Sequence, residues 1–468
     1  MKSSELSASV QRTEEAVVSK EWNLRGLLLG LTIPVAMMTI NMSMFGVALP
    51  AIRNSFALAP DITAWISTAY SLPFVVFMPL YGKLGDGLGK AKLFLWGIAL
   101  FILGSLLCFF ATDLALLLIG RVLQGIGTAG INPLCMAIIT DRFPTDQQGK
   151  AMGTWSAVGP AASMPGPLLG GFAVDHLGWN YVFLVSIVTA IIAFYFVNRY
   201  IPPRLTARPT GFLQEFDWLG VLLLGGFLTF FIFYLSSRAL TGVEPLRDWR
   251  LLGVTLLCGL SFWQWEKRAR TPLMDLKLYA IKNFGTASLA ASMRMVIMAS
   301  IGFLQVLYLA DVYGMDATDL GIFATVYSGA VLALTRLGGQ LADGRFARRV
   351  LLSSFGLQLL VLTLQATLTL PAWGAMGLML GQGMGAGLAL ASLHRIAMRD
   401  VPSAVSGSAA GMYSTARFTG ATVGAAIAGV ALQQAELVMP MAAAYQLVFG
   451  LVAASCLISL LVSWRLEK

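Results

Sequence analysis

The residues of this chain that could do chemistry are few, and four of them are arginines within apolar runs: Arg121, Arg294, Arg336 and Arg417. A charge buried in an apolar membrane segment is expensive, so it marks a functional-site hypothesis by default. Arg121 and Gln124 are three positions apart, and both side chains therefore project from one face of a helix. We interpret this face as the lining of a cavity. The alternative is an arginine that fixes neighbouring helices through hydrogen bonds to their carbonyls.

Acidic side chains are nearly absent from the same apolar runs. All 23 aspartates and glutamates lie at the ends of these runs or in loops, and Asp311 is the nearest to an interior. Proton relays at membrane depth typically use an aspartate, a glutamate or a histidine. His394 is the only neutral-pH titrator near that depth, and we interpret it as an interfacial residue beside Arg395. The unbalanced arginines therefore favour an anionic or zwitterionic substrate.

The chain lacks the residue patterns of common enzyme classes. It has no Cys-x-x-Cys, no His-Glu-x-x-His and no Walker phosphate loop, and it has only two histidines. Its four cysteines fall inside apolar runs, where they are most simply small buried hydrophobic residues. We therefore predict no enzymatic activity, no metal site and no cofactor.

The elements that must position these residues are apolar spans of about 20 residues. Of the 468 residues, 57% are hydrophobic and 12% are charged, whereas soluble domains carry roughly a quarter charged residues. The sequence therefore predicts an all-α polytopic membrane protein. We expect fourteen spans, at 25–48, 63–82, 92–112, 114–138, 150–173, 179–199, 217–237, 249–266, 285–309, 319–338, 349–369, 373–397, 405–432 and 442–464.

The basic residues indicate which loops face the cytoplasm. With the N-terminus inside, 24 of the 32 lysines and arginines fall in cytoplasmic segments, 4 in external loops and 4 within spans. Because positive residues concentrate on the cytoplasmic side, we predict a multi-pass protein of the inner (plasma) membrane with both termini in the cytoplasm. The same distribution accounts for the net charge of +9 without a nucleic-acid partner.

A basic, glycine-containing loop is predicted twice between apolar runs. The first copy is 82–92, and the second starts at Gly339 and repeats the G-x-L-x-D pattern, with Asp86 and Asp343 257 residues apart (343 minus 86). Such a repeat implies a duplicated membrane protein, and the long offset indicates two inserted spans. We predict a cytoplasmic tail (1–24), a six-helix half (25–199), a linker with two additional transmembrane helices (200–284), a second six-helix half (285–464) and a short tail (465–468).

A series of motifs follows the chain along residues 25–464, namely 65–72 (WISTAYSL), 82–92, 118–127 (LIGRVLQGIG), Gly153 with 166–171 (GPLLGG), 217–220 (DWLG) and the glycines and Arg417 of 407–424. In this order they resemble the major facilitator superfamily, and most closely its fourteen-helix drug–proton antiporter family of the EmrB/QacA type. That family usually has an aspartate in its first helix, but the aligned positions here hold Asn41 and Gly46. The resemblance implies the major facilitator fold, with two six-helix halves plus two inserted helices.

We expect two groups of residues to control the change of conformation. The first surrounds the repeated loop, where a carboxylate such as Asp86 can pair with a helix N-terminus or a basic residue and hold the cytoplasmic side shut. The second is in the fifth helix, whose small residues permit close approach at a seam between rocking halves. The predicted gating residues are Gly82, Asp86, Gly89, Lys90 and Asp343, together with Gly153, Gly166, Pro167, Gly170 and Gly171.

The predicted substrate and proton cavity draws on both halves. If the resemblance holds, Arg121 binds the substrate or modulates the protonation of a carboxylate. Trp65 and Tyr70 could stack on a substrate, although an interfacial belt position is the alternative for Trp65. The predicted cavity residues are Asn41, Trp65, Tyr70, Arg121, Gln124, Arg294, Gln305 and Arg417.

From these residues and the resemblance we predict a secondary active transporter that exports a small organic compound, a drug or a metabolite, in exchange for protons by alternating access. One alternative is an exporter or facilitator of anionic metabolites that is not coupled through a first-helix carboxylate. A non-transporting receptor or scaffold is another, and the lack of a sizeable soluble domain argues against it. The expected partners are the small-molecule substrate, protons and membrane lipid. Accessory periplasmic and outer-membrane components are left open.

Overall fold

The computed structural model describes residues 24–201, 217–269, 272–274, 276–281, 283–341, 347–402 and 406–464, and all the regular structure in these ranges is helical. We number the helices in chain order and group them as a first half, an inserted pair with a short connecting helix, and a second half. The first half holds α1 (Leu24–Ser55), α2 (Pro60–Leu88), α3 (Lys90–Phe109), α4 (Leu114–Thr128), α5 (Ile131–Arg142), α6 (Thr145–Ser163), α7 (Pro165–His176) and α8 (Tyr181–Tyr200).

The inserted pair is α9 (Trp218–Leu235) and α11 (Trp249–Arg268), joined through the short α10 (Arg238–Thr241). A single 3₁₀ turn, Leu276–Ala280, precedes the second half. The second half holds α12 (Phe284–Tyr313), α13 (Ala317–Leu341), α14 (Ala347–Thr367), α15 (Ala372–Met398), α16 (Ser406–Glu436) and α17 (Met441–Trp464). We call the end where α1 begins and α17 finishes the terminal end, and the opposite end, where α1 leads into α2, the distal end.

The two halves are built on one plan. In the first half α1 packs against α7 and α8, and in the second half α12 packs in the same way against α16 and α17. A Cβ at Gly170 would lie 2.9 Å from the carbonyl oxygen of Met44 on α1, and a Cβ at Gly424 would lie 2.3 Å from that of Val296 on α12. Only glycine permits backbones to approach so closely. The seams between the halves are α2 against α16 and α7 against α13.

Twelve helical segments in the part of the chain that the structure describes are long and apolar enough to cross a membrane. They include α9 but not α6 with α7, nor α11. The predicted span at 150–173 is divided at Met164, next to Pro165, which has no N–H to continue the helix. The α11 sequence ends in Glu266, Lys267 and Arg268, which lower its hydropathy. By this criterion the predicted count of fourteen is not confirmed.

The predicted loop at 82–92 is mostly helical, so that prediction was wrong. Helix α2 continues through Leu88 and α3 begins at Lys90, which confines the turn to Gly89, where φ is +93°. Glycine adopts this conformation without the strain that a Cβ would cause. Several predicted features lie outside the described residues, namely the side chains of Asp86 and Arg336, Asp343, and the tails at 1–23 and 465–468.

Candidate functional site

Arg121 lies on α4 in the centre of the first half and is 2% exposed. Its Nε donates to the carbonyl of Ile66 at 3.2 Å, and its Nη1 donates to Oε1 of Gln124 at 2.9 Å. The guanidinium carbon lies 3.9 Å from the ring centre of Phe45 and 4.6 Å from that of Tyr70. Two ring faces and two acceptors thus stabilise this cation without a carboxylate.

The polar network around Arg121 extends to α2 and α3. Gln124 Nε2 donates to Ser105 Oγ at 2.8 Å, and the Tyr70 hydroxyl lies 2.8 Å from Thr128 Oγ1. Thr128 in turn donates to the backbone carbonyl of Gln124 at 2.9 Å. Arg121, Gln124 and Tyr70, which the sequence assigned to one cavity, therefore meet in a single hydrogen-bonded cluster.

The second half contains two further interior arginines with fewer partners, Arg294, which is buried, and Arg417, which is partly buried. Arg294 on α12 is 2% exposed, its Nη2 donates to the carbonyl of Ala386 at 2.7 Å, and its Nη1 lies 3.8 Å from Met295 Sδ. Arg417 on α16 has its guanidinium carbon 4.7 Å from the centre of the Phe418 ring. The Nε of each arginine is buried and has no hydrogen-bond partner among the residues that the structure describes.

The positive charges of the site are not neutralised by nearby acids. Arg294 lies within electrostatic range of Arg417 and of the tyrosines Tyr327 and Tyr413, and Arg417 within range of Tyr413. In the described ranges, the ion pairs involve other basic residues and leave out Arg121, Arg294 and Arg417. The interior therefore carries a positive potential that attracts anions.

A row of aromatic rings connects the two arginine clusters across the seam between α2 and α16. Tyr70 and Phe74 stack with centroids 6.0 Å apart, and Phe74 meets Phe418 edge to face at 5.0 Å. Because Tyr70 lies under Arg121 and Phe418 lies beside Arg417, the row runs from one cluster to the other. Sequence reasoning identified Tyr70 but missed Phe74 and Phe418, whose ring contacts depend on how the halves are placed.

Gln305 belongs to a buried chain of three glutamines in the second half. Gln365 Nε2 donates to Gln305 Oε1 at 2.7 Å, and Gln382 Nε2 donates to Gln365 Oε1 at 2.5 Å. The two ends of the chain, Gln305 Nε2 and Gln382 Oε1, are buried without a partner in the described part of the chain. A polar ligand could therefore both accept and donate here. Gln365 and Gln382 were missed, although an amide in an apolar run was the available signal.

Asn41 and Trp65 occupy different surroundings from the arginines. Asn41 Nδ2 donates to Ser186 Oγ at 2.6 Å, and its buried Oδ1 lacks a partner among the described residues. Trp65 packs against Phe233 of α9, with ring centroids 5.3 Å apart, and against the cluster around Ile232. We expected Trp65 to line the central cavity. In the structure it contacts the inserted pair instead.

Of the predicted seam residues in the fifth helix, two contact the other half. A Cβ at Gly171 would lie 2.3 Å from the Ala317 carbonyl oxygen, and the Pro167 carbonyl oxygen would lie 2.5 Å from a Cβ at Gly321. By contrast, Gly166 approaches Ser43, and Gly170 approaches Met44, both on α1 of the same half. Gly153 has open space around it, and Gly82 has one neighbour, Pro133, at 3.7 Å. The helical spacing of small residues shows that they share one face of a helix. It does not show which neighbouring helix packs against that face.

Sequence reasoning missed the carboxylates that join the halves at the distal end. Asp175 on α7 accepts hydrogen bonds from the backbone N–H of Ala317 at 3.1 Å and of Thr318 at 2.6 Å, the first residues of α13. Asp311 on α12 forms an ion pair with both terminal nitrogens of Arg53 on α1 and accepts from the Tyr445 hydroxyl at 2.5 Å. The signal for Asp311 was that, of all the acids, it lies nearest to the interior of an apolar run.

Three polar contacts among the described residues of the terminal end each lie within one half. Lys90 donates to Asp141 at 2.5 Å in the first half, and Asn283 Nδ2 lies 3.3 Å from Asp400 in the second. Arg348 donates to the carbonyl of Trp464 at 2.6 Å, also within the second half. The conformation is therefore one in which carboxylates hold the halves together at the distal end.

Comparison with known proteins agrees with this architecture. The family model described as Major Facilitator Superfamily matches residues 31–265 and 286–468. Multidrug resistance protein Stp of Mycobacterium tuberculosis is 30% identical, over 82% of this chain and 72% of its own. Multidrug resistance protein 3 of Bacillus subtilis is 27% identical, over 89% of this chain and 81% of its own.

A crystal structure of a D-xylose–proton symporter superposes with a TM-score of 0.67 at 12% identity, covering 95% of this chain and 98% of that one. At that identity the likeness concerns the fold alone. The family match and the two relatives are consistent with the EmrB/QacA resemblance. They identify a transporter of small molecules rather than an enzyme. The chain is a multi-pass integral membrane protein that belongs to the major facilitator superfamily.

Proposed function

We propose that this protein is a secondary active transporter that exports a small organic compound with an anionic group, in exchange for protons, by alternating access between its halves. The observation that carries the proposal is the pair of interior arginine clusters, one in each half, whose arginines have no ion-pairing acid in the described ranges. A substrate held between them would supply the missing negative charge. The aromatic row would contact its apolar body.

The distal contacts support alternating access. Asp175 and the Arg53–Asp311 pair each join one half to the other, and both must break for the distal end to open. Hydrogen bonds to charged groups contribute about 1.5–3 kcal/mol each, which is enough to bias a two-state equilibrium but not to lock it. The small-residue contacts at Gly171 and Gly321 let the same surfaces separate and reclose.

Proton exchange would require a carboxylate that changes partners between the two states. Asn41 cannot titrate, although it occupies the aligned place of a family aspartate. Asp311 meets the requirement, because its partner Arg53 lies on the other half and would move away when the distal end opens. We therefore assign proton exchange to Asp311.

The membrane arrangement is part of the same proposal. We place the terminal end in the cytoplasm of a cell with an inner membrane, as the excess of lysine and arginine on that side favours. The broken pair α6–α7 and the polar-ended α11 each cross the bilayer, which gives fourteen spans. A reporter that is active only in the cytoplasm, fused after Lys468, should be active, and a silent, stably expressed fusion would contradict this orientation.

Transport in proteoliposomes tests the proposal directly. We would compare matched anionic and cationic aromatic compounds, with and without a pH gradient, using wild type, Asp311→Asn and the control Asp319→Asn. Asp319 is an exposed acid on α13. We expect uptake of anions driven by the gradient, lost in Asp311→Asn and retained in the control. Preferential transport of the cations would contradict the assignment of substrate charge.

A second candidate is an anion exporter without proton coupling, which the non-titratable Asn41 favours. In that case wild-type flux should be independent of the pH gradient and Asp311→Asn should retain it. Asn41→Asp would then introduce a new pH dependence, because it restores an acid at the aligned family position. Measuring flux for both variants over a range of pH separates the two candidates.

A further inference from the structure

A cavity of about 430 Å³ lies outside the central site, between the inserted pair and the second half. Its walls come from α9 and α11 on one side and from α16 on the other. The volume falls within the range of roughly 300–1,000 Å³ that is typical of ligand pockets. Leu256 and Leu260 of α11 line it and are 54% and 56% exposed, so the cavity opens on the outer, lipid-facing surface of the bundle.

The lining of this cavity offers little to a polar ligand. Leu224, Phe227 and Phe262 supply apolar walls, and the hydroxyls of Thr255 and Thr415 donate to backbone carbonyls of their own helices. Apart from the Thr419 and Tyr279 hydroxyls, the lining thus offers carbon atoms and hydroxyls that are already satisfied, and this surface favours a chain of methylene groups.

The end of the cavity that faces the terminal end is built by a pinned segment. Met274, Leu276 and Tyr279 close it, and this segment is held by two buried acids: Asp217 accepts from the backbone N–H of Leu273 at 3.2 Å, and Glu266 accepts from that of Met274 at 3.2 Å. Burial raises the pKa of the Tyr279 phenol, so the ring contributes no negative charge. The two hydrogen bonds from Leu273 and Met274 therefore fix the segment that closes this end of the cavity.

A cation and an aromatic ring lie on α11 beyond the cavity, toward the terminal end. Lys267 is seven residues beyond Leu260, which places both on one face of α11. Lys267 Nζ lies 3.4 Å from the centre of the exposed Trp263 ring. Lysine and tryptophan at the end of a spanning helix occupy the level of the lipid headgroups.

We propose that this pocket binds one acyl chain of an anionic membrane phospholipid, with the headgroup phosphate at Lys267. The apolar cavity matches the chain, and its opening faces the bilayer. The charge of Lys267, two turns beyond Leu260 on the same helix face, complements the phosphate. The proposal is independent of the transported compound. The pocket is lined by Thr415, Ala416 and Thr419 of α16 and not by Arg417. The test measures lipid binding alone.

The test uses the full chain in neutral phosphatidylcholine nanodiscs that contain a small fraction of phosphatidylglycerol with a diazirine on one acyl chain. After irradiation, mass spectrometry locates the labelled peptides. We expect labels on α9, α11 and α16 residues of the pocket. Ala416→Phe fills the pocket and should reduce this labelling about tenfold, which corresponds to excluding about two methylene groups. Lys267→Gln should reduce the preference for phosphatidylglycerol over phosphatidylcholine about fivefold.

Leu257→Phe is the matched control, since Leu257 is 67% exposed on the same helix and does not line the pocket. Its labelling should equal that of wild type. If Ala416→Phe lowers the melting temperature, Leu256→Trp on the opposite wall replaces it. Uniform labelling of the outer surface, or undiminished labelling in both filled variants, would overturn the proposal. Displacement of the label by a lipophilic cation but not by added phosphatidylglycerol would also overturn it, and would indicate a drug site.

Discussion

The arginines of the two halves differ in how completely their donors are used. Arg121 in the first half has acceptors for Nε and Nη1 and aromatic rings on its guanidinium. In the second half, Arg294 and Arg417 each keep a buried Nε without a partner in the described ranges. A buried donor that is left unpaired costs roughly 1–3 kcal/mol. We therefore infer that Arg121 mainly stabilises the packing of the first half. The unpaired Nε groups of Arg294 and Arg417 in the second half are donors that a ligand can satisfy.

This difference leads us to propose one role for each of the two kinds of interior arginine. An arginine that fixes helices through carbonyls describes Arg121, which reaches across to Ile66 on α2. An arginine that awaits an anion describes Arg294 and Arg417 better. The substrate charge would then be bound mainly by the second half, with the aromatic row connecting it to the first.

The largest expected effect is loss of anion binding in Arg294→Gln. Removing a charge-assisted hydrogen bond of about 1.5–3 kcal/mol should weaken binding about tenfold to a hundredfold. Titration calorimetry on purified protein with a matched anionic and cationic pair measures it. Arg348→Gln, at the terminal end, is the control and should bind like wild type. Unaltered anion binding in Arg294→Gln would show that the second-half arginines are structural.

A smaller effect is expected in Arg121→Gln, and on stability more than on binding. The change leaves the Gln124 side chain and the Ile66 carbonyl without their donor, which should cost about 1–3 kcal/mol. The melting temperature in detergent measures this loss, with Arg294→Gln measured beside it. If Arg121→Gln melts like wild type but no longer binds anions, the contrast between the halves is reversed.

The smallest effect concerns the aromatic row. Phe418→Leu keeps the apolar volume but removes the edge-to-face contact with Phe74, and such pairs contribute about 0.5–1.5 kcal/mol. We expect binding of aromatic anions to weaken a few-fold, while binding of aliphatic anions of equal charge remains unchanged. Equal losses for both classes would mean that the ring positions Arg417 and does not contact the substrate.

The sequence predicted the helical class, the two related halves and the meeting of Arg121 with Gln124, because hydropathy and helical spacing determine these features locally. It did not predict the partners of Asp175, Asp311 or Gly166, since each depends on which helix lies opposite in space. The loop at 82–92 was misjudged because glycine and lysine are typical of turns, yet one residue, Gly89, makes the turn. Trp65 was assigned to the cavity because residue type alone does not reveal which side of α2 faces the inserted pair.

The cap that Asp175 places on α13 also bears on how the halves can move. If the distal end opens as proposed, the N–H groups of Ala317 and Thr318 exchange their hydrogen bonds to Asp175 for hydrogen bonds to water. Asp316, from the same half as α13, continues to accept from the N–H of Asp319 at 2.8 Å. The first turn of α13 therefore stays anchored from within its own half. In the proposed opening, the helix therefore need not fray when the halves separate. At this contact only one carboxylate, two backbone amides and the Thr318 hydroxyl change partners.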